Sequence, residues 1–90
     1  MFHPGRDRAK MKVLLYGRLA EALGSQLELE TSPNDTVAAI RDRLSSRYPQ
    51  VSQILQSQRT RACVGDRLVG DEHPLTAADT LEFLPPVSGG

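Results

Sequence analysis

The two most apolar strand-like segments of this chain lie near its opposite ends. KVLLY runs from Lys12 to Tyr16, and TLEFL runs from Thr80 to Leu84. Val, Leu, Tyr and Phe suit extended backbone, and both runs have strand length. KVLLY is apolar on both faces apart from Lys12, the pattern of a central strand under a helix. In TLEFL, Leu81 and Phe83 share one face. Pro85 and Pro86 come directly after it and end that strand sharply, because proline cannot donate to a β-ladder. The two segments are expected to sit together at the centre of one sheet. The pattern permits that pairing without dictating it.

The stretch between them reads as alternating helices and strands. Gly17 breaks the first strand. Leu19, Ala20, Ala22 and Leu23 predict a short helix stopped by Gly24. QLELE, Gln26 to Glu30, places Leu27 and Leu29 on one face and Glu28 and Glu30 on the other, as in a half-buried strand. SPNDT is a turn and a helix start, with Asp35 or Thr36 available to cap the first turn. Val37, Ile40, Leu44 and Tyr48 then fall at helical spacing. Arg41, Asp42, Arg43 and Arg47 are expected to cover mostly the wet side of that helix, which Pro49 ends. Val51, Ile54 and Leu55 form a small apolar group with the spacing of a helical turn over the sheet edge. Arg61 to Val64 and Arg67 to Val69 read as a hairpin around Gly65-Asp66, where Gly65 can take the positive φ of a tight turn. GDEHPLTAAD is a long turn with one apolar plug, Leu75. The order predicts an α+β fold, a sheet with helical cover on one face.

Ninety residues suit one domain with a compact core. The chain is 39% hydrophobic, and no run approaches a membrane span. Residues 1 to 10, MFHPGRDRAK, are charged, carry no periodic apolar pattern and precede no run of signal-peptide quality, so they are expected to be a flexible appendage. The domain is expected over 11–84, with 85–90 an extended tail. The predicted location is the cytoplasm. Eleven Lys and Arg balance eleven Asp and Glu, so overall charge gives no case for nucleic acid, and none for a membrane surface. Arg41, Arg43 and Arg47, and Arg59, Arg61 and Arg67, are read as solvated faces.

Catalytic signals are sparse. The only cysteine, Cys63, sits inside a strand, where nothing stabilises a thiolate. His3 and His73 belong to no ligand pattern, and no metal site is expected. No phosphate-binding glycine loop or dinucleotide fingerprint occurs. Tyr16 and Tyr48 read as core or core-edge packing rather than a base-stacking platform.

The tail PPVSGG is the exception. It trails from a strand expected at the sheet centre. Pro85 and Pro86 favour a semi-rigid extended exit. Val87 offers one apolar contact and Ser88 a small polar one. Gly89 and Gly90 lack a Cβ and can thread a narrow passage, which would present the carboxylate of Gly90 to another protein.

RACVGDRLVGDEHPLTAADTLEFLPPVSGG resembles the C-terminal third of the molybdopterin synthase small subunits (the MoaD family). HPL, Asp79 and FLPPVSGG match in order and spacing. MKVLLYGRLAEALG resembles that family's first strand and short helix, and DTVAAIRDRL the start of its main helix. The likeness runs over residues 11 to 90. It implies a ubiquitin-like β-grasp fold, a mixed sheet with one main helix and short helical turns, whose first and last strands are parallel neighbours.

The resemblance also implies a role as a sulfur carrier in molybdenum cofactor biosynthesis. An E1-like adenylating partner would activate the carboxylate of Gly90 with ATP, and sulfur from a donor would displace AMP to leave a thiocarboxylate. The tail would then enter the large subunit of the synthase, in an assembly of two large and two small subunits. There the sulfur would pass to cyclic pyranopterin monophosphate. Adenylation is needed because a carboxylate is a poor electrophile, whereas a thiocarboxylate holds charge on a soft nucleophile. Catalytic side chains and cationic groups are expected on the partners, and no cofactor on this chain. Gly90 is then the reacting residue and Gly89 the clearance. Ser88, Val87, Pro86 and Pro85 guide insertion, and Phe83 is a core residue with a share in the partner surface. Two departures bear on docking: Phe83-Leu84 stands where the family often has two aromatics, and Gly65 where it often has a polar residue. A carrier for thiamine or amino-acid synthesis, a ubiquitin-like modifier joined to lysines, and a plain interaction domain are the alternatives.

Overall fold

A computed structural model describes residues 10–86. Residues 1–9, and the tail residues Val87, Ser88, Gly89 and Gly90, lie outside the described residues. The described chain forms one five-stranded mixed sheet with helices packed on one face.

The elements run in the order β1 (Lys10–Leu15), α1 (Gly17–Leu23), β2 (Gln26–Glu30) and α2 (Val37–Arg47). A short 3-10 turn (Pro49–Val51) and α3 (Ser52–Gln56) come next, then β3 (Arg61–Val64), β4 (Arg67–Val69) and β5 (Thr80–Leu84). Across the sheet the order is β2-β1-β5-β3-β4. β1 and β5 are parallel neighbours, with Val13 opposite Leu81 and Leu15 opposite Phe83. β2 pairs antiparallel with β1, and β3 pairs antiparallel with both β5 and β4. This is the β-grasp arrangement, with the two terminal apolar segments side by side at the middle. β1 starts at Lys10, which pairs with Glu30, two residues before the expected Lys12, and ends at Leu15, one before the expected Tyr16.

Alternation decides which side of each strand is buried. Met11, Val13 and Leu15 of β1, Leu81 and Phe83 of β5, and Ala62 of β3 face the helices. They meet Val37, Ile40 and Leu44, three successive core positions of α2 at the spacing of one helix face. Leu19 of α1, Val51, Leu55 and the loop plug Leu75 complete the core.

Local chemistry fixes the joints. Thr36 is the N-cap of α2, its Oγ1 accepting from the Ala39 amide at 3.2 Å. The next free amides of the helix, Val37 and Ala38, donate to the carbonyls of His73 and Asp71. The loop around Leu75 therefore satisfies the helix start as well as plugging the core. Asp35, the other cap candidate, instead accepts from the Ser32 amide and from Arg43. The hairpin joining β3 and β4 turns at Gly65 (φ 57°) and Asp66 (φ 68°), the pair of positive φ values that matches strand twist.

One helix residue departs from the amphipathic reading. Arg41, expected on the wet side, is buried at 6% exposure. Its guanidinium donates to the backbone carbonyls of Leu55, Ser57 (3.2 Å) and Thr60 (2.6 Å) and pairs with Asp71 at 2.9 Å. It also lies 5.3 Å from the centroid of the Phe83 ring. The segment from α3 to β3 turns its carbonyls inward here, and a five-donor planar fork satisfies them together. Arg43 is half-buried in its own pair with Asp35, while Arg47, Arg59, Arg61 and Arg67 are exposed as expected. Among the described residues, no helix is long and apolar enough to cross a membrane.

Candidate functional site: the root of the tail and the open sheet face

The tail leaves the sheet from its central strand. β5 is held by β1 on one side and β3 on the other, so its end is fixed on both flanks. Phe83 has no exposed surface and is packed in the core beneath Arg41. It anchors the end of β5 from inside, where the sequence reading expected a core residue with a share in a partner surface. Alternation turns Leu84 to the other side of the sheet, half-buried, opposite Arg61. Pro85 is half-buried and Pro86 exposed.

Gly17 seats the first proline. It has φ 58°, the left-handed region where a side chain is strained, and opens α1 directly after the strand. A Cβ there would stand 3.3 Å from Pro85 Cγ, inside ordinary contact distance. The glycine that looks like a strand breaker in the sequence thus also lets the tail root lie against the start of α1. Beside it is a mostly apolar groove of about 440 Å³, bordered by Leu19, Ile54, Thr60, Pro85 and Pro86. The Thr60 hydroxyl is fully buried and has no hydrogen-bond partner among the described residues.

The face of the sheet away from the helices is open. Register sets Leu14, Glu82, Cys63 and Leu68 in one row across β1, β5, β3 and β4. Tyr16 is 39% exposed and Leu68 56%, the large hydrophobic residues left most open among the described residues. Tyr16 is therefore a surface residue rather than the packing residue its sequence context suggests. Its hydroxyl donates to Glu82 Oε2, and that bond to a carboxylate raises the Tyr16 pKa, since ionisation would set two negative charges together. Tyr48, by contrast, packs half-buried against the core edge. Cys63 is a free, buried thiol pushed above its ordinary pKa, first by desolvation and then by the Glu82 charge. A thiol held protonated in this way is a poor nucleophile. Among the described residues, no cluster of three or more His, Cys, Asp or Glu could hold a metal ion.

The chain matches the sequence model of the ThiS family over residues 13–90. It belongs to that family, among the ubiquitin-like β-grasp sulfur carriers. The molybdopterin synthase sulfur carrier subunit of Escherichia coli K12 is 31% identical over 80 residues, 89% of this chain and 99% of that protein. The crystal structure of SAMP1, a small archaeal modifier protein from Haloferax volcanii, matches with a TM-score of 0.76 at 25% identity, over 90% of this chain and 99% of that one. A chain from the complex of subunits 1 and 2 of the Helicobacter pylori molybdopterin-converting factor matches with a TM-score of 0.63 at 18% identity, over 90% and 99% of the two chains. The match at that identity is one of fold.

Sequence reasoning placed the end of the last strand just before Pro85-Pro86, where β5 ends at Leu84. It missed Gly17 as the seat of Pro85, and it missed the row of Leu14, Glu82, Cys63 and Leu68. Neither has a local sequence signal, because each is made by strand pairing between distant segments.

Proposed function

We propose that this chain is the sulfur carrier of a molybdopterin synthase. The observation that carries the reading is the 31% identity to the E. coli sulfur carrier subunit across 99% of that protein. The geometry supports it: β5 is flanked on both sides, and Pro85 and an exposed Pro86 follow it directly, so the segment before the tail is rooted in a fixed strand. The carboxylate of Gly90 is the reacting group. An E1-like partner joins it to AMP from ATP, releasing pyrophosphate. A sulfur donor displaces AMP to leave the thiocarboxylate, and the large subunit directs that sulfur to cyclic pyranopterin monophosphate. Gly89 and Ser88 give clearance for insertion, and Val87, Pro86 and Pro85 guide it. Carrier and large subunit act as a heterotetramer, in the cytoplasm. The chain needs no cofactor of its own, and the acids, bases and cations belong to its partners.

Intact-mass measurement after incubation with the E1-like enzyme, ATP and a sulfur source tests the carrier step. The expected result is the mass of one oxygen-to-sulfur exchange, absent when Gly90 is deleted. Adding the large subunit and the pterin precursor then tests the recipient, with dithiolene product expected. An unchanged mass with an active E1-like enzyme would refute the carrier role, and a charged carrier that yields no dithiolene would refute the molybdopterin assignment alone. The likeness to SAMP1 favours a second reading, in which Gly90 forms an isopeptide bond with a lysine of a target protein. Gly90-dependent conjugates in cell extracts would support it.

A further inference from the structure

The groove beside the tail root belongs to the helix side of the protein, away from the open sheet face. Buried Leu19 of α1 and half-buried Ile54 of α3 supply its apolar wall, and Pro85 and Pro86 border it. Arg18 borders it too, exposed and without an ion pair among the described residues. At about 440 Å³ the groove has room for an aliphatic side chain. The residue that follows Pro86 is Val87, the one apolar side chain of 87–90.

We propose that the tail docks on its own domain, with Val87 seated in this groove and the Gly90 carboxylate directed toward Arg18, so that the free chain holds its tail until a partner lifts it. Three observations favour this occupant. Pro86 already stands at the groove's border, and a Pro-Pro backbone is stiff, so seating the next residue costs little chain entropy. A side chain tethered so closely competes at an effective concentration on the order of millimolar, which a separate molecule rarely matches. An extended tail places Gly90 about 13 Å beyond Pro86, within reach of the cation that borders the same groove. The N-terminal segment is less well placed. It joins the sheet at Lys10, at the far end of β1 from Leu15, and Leu15 is the residue opposite Phe83 where the tail root begins. The contact is one aliphatic side chain and one exposed ion pair, so the docked tail is shallow and can be lifted. The role of the carboxylate, and the effect of docking on its activation, rest on the carrier reading above. The seating of Val87 does not.

The test is methyl and amide NMR of the full chain alone. Nuclear Overhauser contacts are expected between the Val87 methyls and Ile54, and they should weaken in Ile54→Thr, a variant outside the tail. Arg18→Gln should raise the pKa of the Gly90 carboxyl. In the E1-like reaction Ile54→Thr should lower the KM for the chain about threefold with kcat unchanged, because more of the chain presents a free tail. Melting by circular dichroism confirms that both variants are folded. Absence of any Val87 contact with the groove, together with a wild-type KM for Ile54→Thr, would overturn the inference. Contacts that vanish on dilution would also overturn it, since they would come from the tail of a second copy. So would groove signals that move when residues 1–9 are removed and stay fixed in Val87→Asp. Each of these results leaves the carrier reading standing, which the intact-mass measurement tests separately.

Discussion

Replacing Arg41 with Met tests how much of the fold depends on one buried cation. The guanidinium satisfies carbonyls of Leu55 and Thr60 in buried bonds and that of Ser57 in a part-buried one. Methionine has similar reach but no donor. Each buried acceptor left unpaired costs about 1–3 kcal/mol. The lost contact with the Phe83 ring adds about 0.5–2 kcal/mol. The pair with Asp71 contributes at most about 1 kcal/mol, since that carboxylate is 51% exposed. Opposing these losses, the variant no longer keeps a charge out of water, a saving that sometimes makes an apolar replacement neutral. Here the carbonyls stay behind in the core, so the saving offsets only part of the cost. A net loss of about 3–5 kcal/mol is expected, a large part of the stability of a domain this small. The melting temperature should fall by about 12 °C or more. Arg41→Lys should lie between, because one ammonium cannot span three diverging carbonyls. Urea unfolding monitored by far-UV circular dichroism measures all three proteins. A loss under about 1 kcal/mol for Arg41→Met, with an unchanged m-value, would refute the reasoning.

The same geometry sets three further outcomes. Gly17→Ala should destabilise by about 1–2 kcal/mol through its left-handed φ and should displace Pro85, slowing sulfur transfer more than thermal unfolding suggests; equal turnover would remove Gly17 from the tail root. The Asp35 carboxyl lies below its ordinary pKa, chiefly through the Arg43 hydrogen bond and against a smaller desolvation effect. Its stabilisation is therefore complete above the unfolded value of about 3.9 and is lost as pH falls from there through the lowered native value, so Asp35→Asn should flatten the acid limb of a stability-against-pH curve. Thr60→Val replaces a buried hydroxyl that has no partner among the described residues and should be neutral or stabilising by up to about 1 kcal/mol in melting experiments, whereas a marked loss would mean the hydroxyl is bonded in solution.

Much of the architecture was legible because it is encoded by near neighbours. Alternation in QLELE, helical spacing from Val37 to Leu44, the Gly65-Asp66 turn and the Leu75 plug all depend on residues close in sequence. They reappear as a strand, a helix, a hairpin turn and a core residue. Arg41 departs from its sequence context because an arginine among charged residues on a helix looks solvent-facing, and its partners are backbone carbonyls, which any residue provides. Tyr16 departs for a related reason. A tyrosine ending an apolar strand has the composition of a packing residue, and its exposure depends on which sheet face the helices leave bare.

The sequence by itself determined the element order, the inward set of apolar residues and the abrupt stop at Pro85-Pro86, because propensity, period and missing donors act locally. Only the tertiary structure set β5 beside β1, turned the carbonyls of Leu55 and Thr60 onto Arg41, laid Pro85 against Gly17 and brought the Tyr16 hydroxyl to Glu82. Those contacts join segments far apart in the chain, where closing the intervening loops and packing a single shared core select the pairing. The seat of Pro85, the last half-buried residue of the described chain, was decided there.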